Sequence, residues 1–516
     1  MLVQGTAGVG KTFVITAITY IVRRLFNRNN AAMNLAPTGA ASVLLPNGRT
    51  VHSITPIPQG KEHKDAQLSD YPMKDKTRKK LRGLTGTLKD KDLPLKLICL
   101  NMDERSMFSK NLLAWCSQRF NEATGEMNST FGDLPIVNFF GDLGQLGPIG
   151  AKDLHVVPLK TEAPAKLAGY AIYRSFGECV VLTETMRQGE DQVNLLNRLL
   201  RIRSGTITQN DWIEINDRYE QDLSHAEKQN FSHNRTISLM ETWNEVNEEN
   251  YSRVARLSVP VAVIPSVSSG CHARTEKQCG QIIHRALIAV GSAVILTKNQ
   301  IGLTALGLNN GAMGTVVSII YEENTAPPDF PLAVVVDFPG YKGPVWIQQH
   351  PKWVPIPVND VRCEYNCCKR RGLPLMPGYA IPIAKSQGMT IGKNKPATHC
   401  RVKLQPQKFM EQLSLGTTYT ALSRVERESN WVLVEKIPED RLLYINDHPH
   451  MKARRDEEIR LKKMSDETVK NYEMYTDVEN YVALLSELDA FCNDSITDSV
   501  CANNNTNCTC ILCTQL

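Results

Sequence analysis

The 516-residue sequence has no apolar run approaching the roughly 20 residues that a membrane-crossing helix needs, so no such helix is expected. No secretory leader stands ahead of its first motif, and its 14 cysteines are scattered rather than framed at regular spacings. Both absences point to an intracellular protein with reduced thiols and against a secreted disulfide scaffold. An excess of one charge is lacking too: 59 Lys and Arg against 54 Asp and Glu leave only +5, too little to be diagnostic of a partner. What remains is a globular composition, 42% hydrophobic and 22% charged, with a length that suggests about three or four domains.

Against that plain background one motif stands out. Gly5-Thr6-Ala7-Gly8-Val9-Gly10-Lys11-Thr12 is a complete G-x-x-x-x-G-K-T phosphate loop. Such a loop closes backbone N–H groups around phosphates, extends its lysine to the β- and γ-phosphates and offers its threonine hydroxyl to Mg²⁺. The flanks suit it, with apolar Met1-Leu2-Val3 as a strand and Phe13 to Ile18 opening an apolar helix. Further on, the apolar run from Leu95 to Met102 ends in Asp103-Glu104, as a buried strand would deliver two carboxylates to its C-terminal edge. There Asp103 would hold the Mg²⁺ shell and Glu104 would polarise the attacking water. A third run, Leu134 to Phe140, enters Gly141-Asp142-Leu143-Gly144-Gln145, placing Gln145 to sense the γ-phosphate and Asp142 to support the metal shell. A capped glycine turn is the bland alternative for this last segment. Strand-like runs alternating with helical periods give the expectation of an α/β chain around mostly parallel sheets.

In their order, these segments resemble the Pif-type DNA helicases, the RecD-like branch of helicase superfamily 1, from residue 1 to about residue 435. The glycine loop is similar to that family's motif I, and Leu35-Ala36-Pro37-Thr38-Gly39-Ala40-Ala41 to motif Ia, with Thr50-Val51-His52-Ser53 close behind. Asp103-Glu104-Arg105-Ser106-Met107 and Gly141 to Pro148 resemble the acidic motif and motif III. Leu182 to Gln188 resembles motif IV, Lys385-Ser386-Gln387-Gly388-Met389-Thr390 motif V, and Tyr419 to Arg424 motif VI. The resemblance implies two RecA-like P-loop domains clamping ATP and Mg²⁺ between them while the protein moves 5′-to-3′ on single-stranded DNA, acting at duplex junctions. The implied compartment is nuclear or mitochondrial in a eukaryote, the implied state a monomer, and the implied setting repair, recombination or telomere maintenance. Residues 1–178 would form the first domain, and 179–286 with 376–435 the second. An SH3-like β subdomain would occupy 287–375, and a charged helix and partly disordered tail 436–516.

Site residues follow from the same resemblance. Lys11, Glu104, Gln145, Arg187 and Arg424 would be catalytic, the two arginines arriving from the facing domain. Residues Gly5 to Thr12 together with Gln387 and Gly388 would hold the nucleotide, and Thr12 and Asp103 the metal. Thr38, His52, Ser53 and Thr390 would touch DNA, each with a helix cap or turn as its ordinary alternative role. Tyr170, Tyr173 and Trp243 read as core or interface aromatics. Basic clusters at Lys74 to Lys91, Lys369-Arg370-Arg371 and Lys452 to Arg455 can follow a phosphate backbone, although a solvated loop is the commoner use.

Departures from the pattern bear on coupling more than on hydrolysis. Ala384 stands where the family usually has His, Pro382 falls within the strand expected before motif V, and Gly147 replaces a proline of motif III. The adenine-contacting Gln segment has no room ahead of Gly5, which gives the expectation of an N-terminally incomplete chain. The competing reading is a nucleotide- and DNA-binding remnant of a mobile-element helicase that does not unwind. Two cysteine groups, Cys501 with Cys508, Cys510 and Cys513, and Cys363 with Cys367-Cys368, read as incidental rather than as zinc ligands.

Overall fold

The computed structural model describes residues 1–472 except 56, 58–72, 74, 87–95, 271–275, 301–302, 304–305, 364–366 and 405–413. The C-terminal cysteine group, residues 473–516 as a whole and, of the Lys74 to Lys91 cluster, residues 74 and 87–91 therefore lie outside the described residues.

The phosphate-loop strand Leu2–Gly5 sits inside a six-stranded sheet. From one edge to the other the order is Arg49–Thr50, Ala32–Ala36, Cys99–Met102, Ile136–Gly141, Leu2–Gly5 and Cys179–Leu182, every pair parallel. Parallel strands covered on both faces are expected to be apolar throughout, yet three of these carry asparagine at matched register. Asn34 pairs with Asn101 and Asn101 with Asn138. Their amides form a buried chain in which Asn138 donates to Asn101 at 2.9 Å, Asn101 donates to Asn34 at 2.9 Å, and Asn34 donates to the Pro46 carbonyl at 2.7 Å. A one-residue slip would strand these amides without partners, so the ladder fixes register as well as filling space.

A second parallel sheet runs Ala380–Pro382, Thr236–Met240, His399–Lys403 and Trp431–Leu433. Pro382 does not prevent its strand: it is the last residue, paired in register with Met240, where a missing N–H costs least. Between the strands of this sheet lies an antiparallel insert. Its five-stranded sheet is ordered Trp353–Ile356, Ala333–Asp337, Met313–Ile320, Ala293–Leu296 and Leu375–Pro377. A two-stranded and a three-stranded sheet accompany it.

Three differences from the expected domain limits have physical causes. The strand Cys179–Leu182 completes the first sheet beside Leu2–Gly5, so that sheet passes residue 178. Antiparallel structure begins at Ala262–Pro265, well before residue 287, because Ala262 and Ile264 pack into the same apolar cluster as Val294, Val316 and Leu375. Finally, residues 436–472 are not a separate appendage. Leu442 and Ile445 of the helix Glu439–Asp447 enter the core of the second sheet. The helix Pro449–Tyr472 lies along the first, accepting hydrogen bonds from the edge-strand N–H groups of Val181 and Cys179 at Ser465 Oγ and Thr468 Oγ1, both 3.1 Å.

Candidate nucleotide and nucleic-acid site

Two glycines shape the phosphate loop. Gly8 and Gly10 hold φ of 89° and 81°, the left-handed region that side chains disfavour, and Gly10 caps the helix Lys11–Leu25. Lys11 Nζ turns back to donate to the carbonyls of Gly5 and Thr6 at 2.9 Å each. Burial pushes its ammonium down from the ordinary lysine range, while Asp142, Glu104 and Asp103 oppose that shift.

The acidic pair stands at the end of Cys99–Met102, as its sequence suggested, and its geometry is unusual. Glu104 is a non-glycine residue at φ 54°, a conformation that costs free energy and is found where a side chain must be aimed. Its backbone N–H donates to Asp103 Oδ1 at 2.8 Å, while Glu104 Oε2 is buried with no hydrogen-bond partner among the described residues. Burial, reinforced by the Glu104 charge, raises the Asp103 carboxyl to about 7. Two buried carboxyls, one of them strained and with an orphaned oxygen, fit a site that takes a divalent cation and a polarised water.

These groups line a cavity of about 290 Å³ with Ala7, Gly8, Gly10, Lys11 and Thr12 on one side and Met186, Arg187, Gly388, Thr390 and Arg424 on the other. Gln145 joins the lining, whereas Gly5, Thr6 and Val9 stand behind it. Arg424 is fully buried, its Nε donating to the Thr420 carbonyl and its Nη2 to Ser423 Oγ, both at 2.8 Å. Arg187 donates to the Ser423 carbonyl at 2.6 Å, and burial beside Arg424 lowers its guanidinium to about 9. Desolvated arginines facing desolvated carboxylates make a cavity ready to balance the charge of a polyphosphate.

Two expected roles change. Gln387 does not line the cavity; its Nε2 donates to Gln145 Oε1 at 3.3 Å and reaches Ser106 Oγ at 3.4 Å, tying the second sheet's loop to the first. Asp142 is not free to serve a metal shell, because Oδ1 accepts from Gly144 N and Arg203 Nε, both at 2.9 Å, and Oδ2 accepts from Tyr419 Oη at 3.0 Å. Although burial alone would raise the Asp142 carboxyl, Arg203 and Lys11 hold it below its usual value. The Tyr419 hydroxyl also accepts from the Ala7 N–H at 3.0 Å, linking the phosphate loop to the second sheet's domain. Neither Tyr419 nor Arg203 was singled out from sequence. Tyr419 precedes Arg424 by five residues, a cue that could have been followed, but nothing local marks Arg203.

A second cavity, about 1120 Å³, adjoins the first and shares Thr12, Arg187, Gly388 and Thr390 with it. Thr38, His52 and Thr390 line it. Thr38 also caps the short helix Gly39–Val43, accepting from Ala41 N at 3.2 Å. Ser53 is not among the lining residues; its hydroxyl donates to the Thr50 carbonyl at 2.7 Å, the turn role that competed with DNA contact. Of the two roles expected for Trp243, core is excluded: 47% exposed, it lines this cavity with Lys385 Nζ 4.8 Å above its ring. Lys298, Lys342 and Lys395 add positive charge to the walls. Tyr173 is buried as expected, donating to Glu457 at 2.6 Å.

A phosphate loop on one parallel sheet facing an arginine, Arg424, carried by the domain of another is the layout of a P-loop protein with two RecA-like domains. Residues 1–212 match the family model described as PIF1-like helicase. It is 25% identical over 345 residues to the ATP-dependent DNA helicase PIF1 of Saccharomyces cerevisiae, an alignment covering 63% of this chain and 35% of that protein. The chain thus spans about a third of the length of this curated relative. In fold it is similar to the Pif1 helicase of Candida albicans, with a TM-score of 0.64 at 20% identity over 90% of this chain and 95% of the other. Bacteroides Pif1 in complex with ADP-AlF3 and single-stranded DNA gives 0.57 at 20% identity over 86% and 92%.

Proposed function

We propose that this chain is an ATP-dependent DNA helicase that hydrolyses ATP between its two RecA-like domains and moves 5′-to-3′ on single-stranded DNA, unwinding duplex junctions as a monomer. The observation that carries this reading is the 290 Å³ cavity in which Lys11, Asp103 and Glu104 face Arg187 and Arg424. Phosphoryl transfer is catalysed mainly by positioning and by neutralising charge. Lys11 binds the β- and γ-phosphates, Glu104 accepts a proton from the attacking water, and Gln145 orients that water. Thr12 and Asp103 are the groups suited to hold Mg²⁺, which supplies charge neutralisation across the phosphates. Arg187 and Arg424 stabilise the transferring group when the domains close. The larger cavity is the strand path, where Trp243 stacks a base and Thr38, His52, Thr390 and the lysines hold phosphates. The binding of ADP-AlF3 and single-stranded DNA by the Bacteroides relative supports both assignments. A nuclear or mitochondrial role in repair, recombination or telomere maintenance accords with this reading.

The test is DNA-stimulated ATP hydrolysis by the purified chain. Stimulation by single-stranded DNA is expected, with Lys11→Ala and Glu104→Gln abolishing turnover and a 5′-tailed duplex unwound in preference to a 3′-tailed one. Hydrolysis indifferent to DNA would sink the helicase reading, and a preference for the 3′ tail would overturn the polarity. ATP hydrolysis that leaves every tailed duplex intact would mark the non-unwinding remnant instead.

A further inference from the structure

The insert carries a cluster of thiols that the nucleotide chemistry does not use. The strands Asn359–Arg362 and Cys368–Gly372 form a hairpin, closed where Cys363 N donates to the Cys368 carbonyl at 3.0 Å. At its turn the sulfurs of Cys363, Cys367 and Cys368 lie within 4.8 Å of one another, Cys363 and Cys367 at 3.4 Å. A fourth thiol comes from a separate segment. Cys279, the last residue of the turn Lys277–Cys279, packs against Cys363 and Cys368. We infer that Cys279, Cys363, Cys367 and Cys368 form a structural zinc site of four thiolates that fastens this hairpin to the rest of the insert.

Three observations carry the assignment. Zinc–sulfur bonds of about 2.3 Å in a tetrahedron place sulfurs about 3.8 Å apart, which the spacings among Cys363, Cys367 and Cys368 bracket, and three mutually close thiols with a fourth cysteine packed against two of them exceed what a single disulfide uses. Soft thiolates also select zinc over the oxygen-seeking cations. Second, the three-stranded sheet here has almost no apolar core of its own. Asn359–Arg362 alternates between half-buried and exposed residues, Val267–Gly270 is mostly exposed, and among the described residues the cluster beneath them consists of Cys279, Cys363 and Cys368. A sheet with so little to bury is the kind that a metal staples. Third, a four-thiolate zinc centre is dianionic, and the hairpin that bears it is basic, with Arg362, Lys369, Arg370 and Arg371 flanking the cysteines. Gly270, at φ 91°, permits the close approach: a Cβ there would stand 2.6 Å from the Cys367 carbonyl oxygen.

Zinc content of the purified full chain, after dialysis against a weak chelator, is the test. One equivalent is expected, retained when Cys501, Cys508, Cys510 and Cys513 are all replaced by Ser, which separates this site from the C-terminal thiols. Cobalt exchanged for zinc should give the spectrum of a tetrahedral cobalt thiolate. Cys367 is exposed, so Cys367→Ser leaves the packing intact, yet it should weaken zinc at least about tenfold, since even the loss of a group that merely orients a ligand costs about that much. A Cys363–Cys367 disulfide peptide, four freely reactive thiols with no metal, or zinc that disappears with the C-terminal replacements would each overturn the proposal.

Discussion

The two walls of the 290 Å³ cavity differ in how they are made. The wall on the first sheet consists of short consecutive segments at strand ends: the glycine loop after Leu2–Gly5, the carboxyl pair after Cys99–Met102 and Gln145 after Ile136–Gly141. Each polar group is placed by the strand immediately before it, so the chemistry is written locally. The opposite wall has no such order. Arg187 follows an edge strand of the first sheet, Arg424 follows the helix Thr417–Leu422, and both are oriented by Ser423. One wall is positioned by secondary structure, the other by tertiary contacts between distant segments.

That difference explains what could be read in advance. Strand runs ending in Lys11, Asp103 and Gln145 announce themselves through hydrophobicity followed by polarity, and the structure brings those groups into one cavity. The arginines were reached by resemblance alone. The contacts that hold the walls together are harder to read, because Tyr419 and Arg203 meet Asp142 across 277 and 61 residues, and only Tyr419, at the head of the segment that ends in Arg424, has anything nearby in sequence to mark it. Trp243 is not placed by sequence for a related reason: an aromatic at the start of a helix looks the same whether it faces a core or a groove.

Removing Arg424 gives the sharpest test of the second wall. Arg424→Ala should lower DNA-stimulated ATP turnover by roughly 10³–10⁵-fold, as for other arginines that meet a transferring phosphoryl group, with nucleotide affinity much less affected. Because Arg424 is buried, circular dichroism should accompany the assay. A fall in affinity equal to the fall in turnover would mean that this wall binds ground state and transition state alike.

For the first wall, pH supplies the probe. Asp103 titrates near 7 in the folded chain against an ordinary value of 3.8. Between those values the folded state holds more protons than the unfolded, so this group's contribution to stability falls as pH rises from about 4 to about 7. In metal-free protein, Asp103→Asn should flatten that part of the denaturation profile. Added Mg²⁺ should reverse the slope if Asp103 ligates it, and an unchanged profile in both cases would detach Asp103 from the metal.

The groove offers a smaller effect. Trp243→Ala should weaken single-stranded DNA by about 1–3 kcal/mol, the usual worth of one stacked base, and leave ATP turnover without DNA unchanged. Fluorescence anisotropy with a labelled oligonucleotide reads the first quantity. Equal affinity in the variant would return Trp243 to the role of a surface aromatic that merely shelters Lys385.

The smallest change concerns how far the contrast between the walls extends. The helix Pro449–Tyr472 closes the edge of the first sheet through two hydroxyls, Ser465 and Thr468, which accept from the N–H groups of Val181 and Cys179. It also reaches the second wall's supports, because Glu458 pairs with Arg203 at 2.6 Å while Arg203 holds Asp142. Arg454 and Arg455 donate to the carbonyls of Leu415 and Gly205 at 3.3 and 2.6 Å. One helix therefore spans both domains, buttressing a locally built wall and a tertiary one together. Ser465→Ala with Thr468→Ala should cost about 1–3 kcal/mol per N–H left without a partner, lowering the melting temperature. Since the sheet edge carries the strand that leads to Arg187, turnover should fall by more than stability alone requires. If only stability falls, the helix is a cover for the sheet edge and the two walls communicate through Tyr419 and Asp142 without it.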